Sequence, residues 1–324
     1  MRASAVPAER ERGAALLTVL LLVAVIAVMA AAGLEKLRLA TRLGGNAVAL
    51  DQARADAQAM EALATVRITA MLRQRPDRVM LADRPFTLPV DGGTAVGRIA
   101  DGGNCFNLNS LVLRRGDGGY AAYTPAIEQF ARLMRLIDVP NGPSIAAAAA
   151  DWIDSDDTPQ PGGAEDSAYL SGQPAYRTAG TLMADPSELR AVIGMTPEAW
   201  RRLRPFLCAL PAAERGTINV NTLAPEQAAL LAMLLPDTMS VAQARAIIAR
   251  RPPEGFASRD AVWKLPGLAG ITPDPLASAQ IDVTTHWFRL TARVTKGQAI
   301  FEERALIDAT SLPARLVSRQ WGDE

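Results

Sequence analysis

The chain has 324 residues, and its 34 basic and 34 acidic side chains give a formal net charge of zero. A neutral chain of this length has room for more than one compact domain, and its charge balance does not point to a nucleic acid or another polyanion as a partner. The single histidine, His286, cannot form a paired-histidine metal site, and the nucleophile elbow, phosphate loop and dinucleotide-binding fingerprint are all missing, so the sequence argues against an enzyme.

The first predicted element is one long helix over residues 14–75. From Ala14 to Leu34 the sequence contains no charge and no proline, and a helix of about 21 residues spans the roughly 30 Å hydrocarbon core of a bilayer. The sequence stays free of proline as far as Arg75, so the helix is expected to continue out of the membrane until Pro76 ends it. A secretory signal peptide or a plain signal anchor is the alternative interpretation of the apolar run.

Both cysteines, Cys105 and Cys208, follow this helix. Arginines ahead of the apolar run favour a cytoplasmic N-terminus, which places the rest of the chain on the other side of the membrane. If that compartment is oxidising, the two thiols can form one disulfide, and two independent buried thiols are the alternative.

Residues 76–103 are predicted to begin a β-sheet. Phe86–Leu88 and Ala95–Ile99 are short strand-like runs, and the Asp-Gly-Gly sequence at 91–93 is typical of a hairpin turn.

An internal duplication follows, over residues 104–276. Phe106–Leu111 matches Ile218–Leu223 in residue type at every position, and each copy is followed by a proline and two predicted helices. The sequence therefore predicts two related helical units, 104–211 and 216–276. Their layout is that of a helix-hairpin-helix, a motif whose turn amides can bind nucleic-acid phosphate. Five basic and five acidic residues between 218 and 275 leave the second unit neutral, which disfavours DNA binding.

The segment from Asp151 to Asp166 holds six carboxylates and no basic residue, in a frame of prolines and glycines. Carboxylates this dense repel one another, and a hard cation with oxygen ligands removes that cost. We expect calcium, with ligands from Asp154, Asp156, Glu165 and Asp166. The spacing does not fit an EF-hand, and a solvated acidic loop is the alternative.

The C-terminal residues 277–312 are predicted to return to the sheet. Ile281–Thr285, Trp287–Val294 and Ala299–Leu306 alternate between apolar and polar side chains, and residues 296–298 form a turn between the last two runs. His286 is interpreted as a surface or strand-edge residue, and residues 313–324 as a tail.

Five segments together carry a family resemblance. They are the leader and helix, Phe106–Leu111, the acidic loop, the Ser-Glu-Leu and Gly-Met-Thr sequences between 187 and 196, and Ile218–Thr222. They resemble the general secretion pathway protein K family, the large minor pseudopilins of bacterial type II secretion systems. The resemblance implies an α+β pseudopilin fold, with a long N-terminal helix, an antiparallel sheet and an inserted all-helical domain of two helix-hairpin-helix or SAM-like units. It also implies calcium in the acidic loop.

The resemblance further implies how the N-terminus is processed and located. A prepilin peptidase would remove the leader, residues 1–13, by cutting after Gly13, so that Ala14 becomes the first and methylated residue. The mature chain would cross the bacterial inner membrane once, with its C-terminal domain in the periplasm. The fifth mature residue would be Thr18, where most pilins carry a glutamate. A buried carboxylate needs a partner from a neighbouring subunit, and a first subunit has no such neighbour, so threonine suits the tip.

In function, the resemblance implies a subunit that initiates or caps the pseudopilus during export of folded proteins across the outer membrane. The implied partners are the other minor pseudopilins and the major pseudopilin, with secreted substrates or the outer-membrane secretin as further candidates and no nucleic acid. A membrane-anchored helix-hairpin-helix protein of the DNA-uptake type, or a minor type IV pilin, is the alternative.

Overall fold

The structure is a computed structural model that describes residues 8–74, 85–236, 238–268, 271 and 274–322. Within these residues the α-helices are α1 (Ala8–Gln74), α2 (Thr124–Leu136), α3 (Gly142–Ile153), α4 (Asp166–Leu170), α5 (Pro197–Leu203), α6 (Ala228–Ala232), α7 (Val241–Ala249), α8 (Arg259–Trp263) and α9 (Pro275–Gln280). The strands are β1 (Phe86–Leu88), β2 (Gly93–Asp101), β3 (Phe106–Asn107), β4 (Val112–Arg114), β5 (Tyr120–Ala122), β6 (Leu207–Cys208), β7 (Ile218–Asn219), β8 (Ile281–Asp282), β9 (Trp287–Lys296), β10 (Ala299–Asp308) and β11 (Arg315–Trp321). Short 3-10 helices cover Leu108–Leu111, Pro186–Ala191, Arg204–Phe206 and Pro225–Gln227.

The long N-terminal helix is confirmed, because α1 continues without a break to Gln74. Its apolar first part is fully exposed and long enough to cross a membrane. The helix also includes residues 8–13 of the predicted leader. Pro76, the predicted stop, lies outside the described residues.

The second part of α1 packs on one face of an antiparallel sheet. In the described residues this sheet has the strand order β1-β2-β9-β10-β11. Alanines at 53, 57 and 64 alternate with Met60 and Ile68 along the buried stripe of the helix, and small side chains let the helix approach Leu290 and Val294 on β9 closely. The predicted hairpin and C-terminal strand pair are confirmed, with Leu88 opposite Ala95 and Val294 opposite Phe301.

The predicted split of the sheet is also confirmed, since β2 pairs directly with β9 although residues 102–286 lie between them. The two ends of the sheet meet different parts of α1. At one end Lys296 Nζ lies 2.9 Å from Asp56 Oδ2, and at the other the amide of Ala314 donates to Thr69 Oγ1 at 3.0 Å. Asp56 is nearer than Thr69 to the apolar run, so the Ala314 end of the sheet faces away from the apolar part of α1.

The helical insertion leaves the sheet at this distal end. β2 ends at Asp101 and β9 begins at Trp287, and Asp308 lies opposite both Trp287 and Arg315. The insertion therefore extends the molecule beyond the sheet, on the side away from the apolar part of α1.

The last residues differ from the predicted tail, because Arg315–Trp321 form the edge strand β11 against β10. All seven residues are exposed, and a register shift opposite Leu306 and Ile307 interrupts the pairing. A strand without a buried face has no apolar alternation to reveal it.

The duplication predicted from the sequence is visible in matching hydrogen bonds. The amide side chain of Asn109 donates to the carbonyls of Met183 and Leu210 and accepts from the amide of Met183. In the second unit, Asn221 donates to Phe256 and Val283 and accepts from the amide of Phe256. Each unit thus uses an asparagine at the same position of its repeat to join its first and last segments.

The prediction of an all-helical insertion is wrong, because each unit also closes with a parallel strand pair. Phe106 lies opposite Leu207 in the first unit, and Ile218 lies opposite Ile281 in the second. The second unit consequently extends past the predicted boundary at 276 to include α9 and β8, since its closing strand must reach β7.

Candidate functional site

Three carboxylates from the acidic loop meet in the first helical unit. Asp151 lies in the last turn of α3, Asp154 caps the end of that helix, and Glu165 precedes α4. One oxygen from each lies within 4.8 Å of the others, and all three side chains are at least 95% buried. The Ala-rich, buried α3 fixes the first two because positions three apart lie on the same helix face.

Asp151 organises the loop that connects α3 to α4. Its Oδ1 accepts the amide of Gln160 at 3.0 Å, and its Oδ2 accepts the amide of Ala164 at 2.7 Å. Burial raises the pKa of Asp151 despite these two hydrogen bonds. The loop is thereby folded back so that Glu165 faces the end of α3.

Asp154 and Glu165 are buried without compensation. None of their four carboxylate oxygens has a hydrogen-bond partner among the described residues. Burial, together with the charges of Asp156 and Asp151, raises the pKa of Asp154 to about 7. Burial and the neighbouring Asp154 raise the pKa of Glu165 to about 7 as well. Because unpaired buried carboxylates are costly, a divalent cation bound by one oxygen from each of the three residues would offset that cost.

The two other predicted ligands lie outside this cluster. Asp156 is exposed, and its Oδ1 accepts the amide of Thr158 at 3.0 Å in a local turn. Asp166 accepts the amide of Thr178 at 2.9 Å and forms an ion pair with Arg177, and these contacts lower its pKa. The structure therefore groups Asp154 and Glu165 with Asp151, which the sequence reasoning did not choose as a ligand. The sequence signal for Asp151 was its position as the one charged residue in the apolar, Ala-rich stretch Ile145–Ile153.

The cysteines are joined in a disulfide, Cys105–Cys208. Cys105 directly precedes β3 and Cys208 ends β6, so the parallel pairing of these strands brings the two residues together. The bond closes the first helical unit at its junction with the sheet.

The residues of the predicted processing site lie in the exposed part of α1. Gly13, Ala14 and Thr18 are all exposed, and the Thr18 hydroxyl donates to the carbonyl of Ala15 at 2.8 Å. The hydroxyl is therefore satisfied within the helix, which suits a position in hydrocarbon.

The second helical unit uses several of its basic side chains internally. Arg251 donates to the carbonyls of Val220 and Leu223, and Arg259 lies 3.4 Å from Asp282. These contacts stabilise the unit and give no support to a phosphate-binding surface.

Comparison with known proteins places these features in a family. Family models described as type II secretion system protein K match residues 104–212 and 218–284. The chain is 33% identical to the type II secretion system protein K of Pectobacterium carotovorum subsp. carotovorum, over 97% of each chain. It is 35% identical to that of Klebsiella pneumoniae, also over 97% of each chain.

A solved structure has the same architecture. The GspK-GspI-GspJ complex from the type 2 secretion system of enterotoxigenic Escherichia coli contains a chain that matches with a TM-score of 0.73 and 28% identity. The match covers 85% of this chain and 97% of that one. Together with the long apolar helix, the split sheet and the duplicated helical insertion, these similarities show that the chain belongs to the type II secretion system protein K family.

Proposed function

We propose that this chain is a minor pseudopilin at the tip of the type II secretion pseudopilus, where it initiates or caps the fibre that supports export of folded proteins across the outer membrane. The observation that carries the proposal is the position of the helical insertion. It leaves the sheet after Asp101, at the end away from the membrane-spanning part of α1. A domain that extends the subunit in this direction suits the last position of a fibre that grows from the membrane.

The same arrangement supports a single-pass location in the inner membrane. The apolar part of α1 spans the bilayer, the arginines before it remain in the cytoplasm, and the disulfide-containing domain lies in the oxidising periplasm. Cleavage after Gly13 would leave Ala14 as the mature N-terminus.

We further propose that the chain assembles with the other minor pseudopilins. The matching structure is a complex of GspK with GspI and GspJ, and this chain shares the fold of a chain in that complex. Contact with the major pseudopilin below the tip follows from the fibre position. Contacts with exported proteins and with the secretin remain predictions from the family resemblance.

Co-purification tests this proposal. The full-length chain, tagged and extracted in detergent, is expected to retain the other minor pseudopilins of the same secretion system. The fibre role is contradicted if none is retained while the tagged chain itself is folded and membrane-inserted. DNA retention at low salt is the second measurement, since tight, salt-sensitive binding would favour the DNA-uptake alternative.

Calcium is the cation we propose for the acidic cluster. Asp151, Asp154 and Glu165 would hold it, and backbone carbonyls or water would complete the six to eight oxygens that calcium prefers. The ion would neutralise the buried carboxylates and tie the end of α3 to the start of α4. Its role would be structural, because the loop between these helices has no other means of satisfying Asp154 and Glu165 in the described residues.

A further inference from the structure

A second group of buried charges lies where α1 crosses the edge of the sheet. Arg319 on β11 binds both carboxylate oxygens of Glu61 on α1, with Nε 2.7 Å from Oε1. The same Nε lies 3.7 Å from Oε2 of Glu303 on β10, and Trp321 Nε1 donates to that oxygen at 3.1 Å. Glu61 and Glu303 are both buried. One guanidinium therefore serves two carboxylates from two different elements.

The second carboxylate is only partly satisfied. Glu303 Oε1 is buried and has no hydrogen-bond partner in the described part of the chain. On its other side Glu303 lies opposite Ala292 of β9, which has no polar side chain. Arg54 of α1 also lies on this side of the sheet, with its guanidinium carbon 5.8 Å from the centre of the Trp321 ring. Burial and the Glu61 carboxylate raise the pKa of Glu303 to about 7.

We infer that the protonation of Glu303 controls the contact between α1 and the edge strand β11. We call this contact the latch: it is closed when β11 packs against Glu61 and Glu303, and open when β11 has moved away and water reaches them. With Glu303 protonated, the group contains one negative and one positive charge, the buried Glu61 and the partly exposed Arg319. With Glu303 ionised, the group carries an uncompensated negative charge, and opening the site to water relieves it. β11 is the least supported of the three elements, because all its residues are exposed and, among the described strands, it pairs only with β10; a hydrogen bond from Gln320 to Asp185 is its contact with the insertion.

The direction of the pH effect follows from the raised pKa of Glu303. The closed state keeps a proton that the open state loses above the ordinary pKa of 4.5. The proton therefore stabilises the closed latch fully below that pH, and the stabilisation is lost as the pH rises to about 7 and beyond. The latch is closed in mildly acidic medium and loosened in alkaline medium.

Hydrogen exchange of the full-length chain in detergent micelles tests the latch. After correction for intrinsic exchange rates, the protection of the amides at 315–321 is expected to fall about tenfold between pH 6 and pH 8. Only the pH unit below the pKa of Glu303, about 7, contributes, and one unit corresponds to a factor of ten. Glu303→Gln should remove this fall. Glu302→Gln is the matched control, because that neighbouring side chain is ion-paired with Arg293 on the opposite face of the sheet, and it should behave as the wild type.

An equal fall in the Glu303→Gln variant, or no fall in the wild type, would overturn the inference. A second measurement does not depend on the folding of a Glu303 variant. The indole N–H resonance of Trp321, assigned with Trp321→Phe, should titrate with a midpoint near pH 7 because it is bonded to Glu303. A resonance that does not move between pH 5 and pH 9 would also overturn it.

Discussion

Gly163 lies so close to Asp151 that no other residue fits there: a Cβ atom at Gly163 would be 1.9 Å from Asp151 Oδ2. This contact joins the loop of the acidic cluster to the end of α3. The loop conformation, the hydrogen bonds of Asp151 and the convergence of Asp154 with Glu165 therefore depend on one another.

Gly163→Ala is expected to lower the stability of the chain by about 2 kcal/mol or more, because either the loop or Asp151 must move and buried hydrogen bonds are lost. Thermal melting of the full-length chain in detergent measures the effect. Gly116→Ala is the control, since a Cβ at Gly116 meets nothing within 4 Å. Equal melting temperatures for the two variants would show that the loop does not require the glycine.

Calcium is expected to raise the melting temperature of the wild type. A site filled at 100 times its dissociation constant contributes about 2.7 kcal/mol by linkage. Asp154→Asn should abolish this increase because it removes a buried ligand. Asp157→Asn, which removes the same charge from an exposed neighbour, should retain it. A wild-type midpoint that is the same in calcium and in chelator would remove calcium from the site.

Asp156→Asn separates the ligand set predicted from the sequence from the one in the structure. Asp156 is exposed and bonded to Thr158, so its substitution should leave most of the calcium stabilisation in place. A loss as large as that of Asp154→Asn would restore Asp156 to the ligand set.

This difference shows what the sequence could and could not predict. The density of carboxylates and the glycine-proline frame identified the loop, because a dense run of like charges is visible in the sequence and such charges repel one another. The selection among the carboxylates depends on how the loop folds back over Asp151. Arg177, which pairs with Asp166, lies eleven residues further along the chain, and no local spacing reveals that partner.

The same contrast holds for the fold: segments with a local pattern were predicted, and segments fixed by distant contacts were not. An apolar run without charge or proline predicted α1, an Asp-Gly-Gly turn between two short strand-like runs predicted the hairpin, and alternation of apolar and polar side chains predicted β9 and β10. The matching six-residue segments, 106–111 and 218–223, predicted the two units. The strand β11 and the true end of the second unit escaped prediction because they are fixed by pairing with distant strands and carry little pattern of their own.

Asn109→Ala should destabilise the chain strongly. Asn109 is fully buried, and its loss leaves polar groups of Met183 and Leu210 without partners, at a cost of about 1–3 kcal/mol for each unsatisfied group. Asn221→Ala should have a comparable effect, because its side chain makes the corresponding bonds in the second unit. Chemical denaturation compares the two. A cost for only one of them would mean that the repeats do not share this device.

Thr18→Glu is expected to leave membrane insertion and cleavage after Gly13 intact but to disturb placement at the tip. The Thr18 hydroxyl is satisfied by the carbonyl of Ala15, whereas a carboxylate in hydrocarbon costs about 2.5–3.5 kcal/mol and seeks a cationic partner on a neighbouring subunit. A subunit that needs such a neighbour should compete for positions within the fibre and initiate it less well. Secretion by cells that carry the variant, compared at equal expression, measures the effect.

Thr41→Glu is the matched control for Thr18→Glu. Thr41 lies on the same helix beyond the apolar run, and its hydroxyl is likewise bonded within the helix, to the carbonyl of Leu37. A carboxylate there meets water and should leave secretion close to the wild-type level. Normal fibre initiation and secretion by the Thr18→Glu variant would show that an uncharged fifth residue is not what distinguishes this subunit, and the tip position would then have to depend on the distal helical units alone.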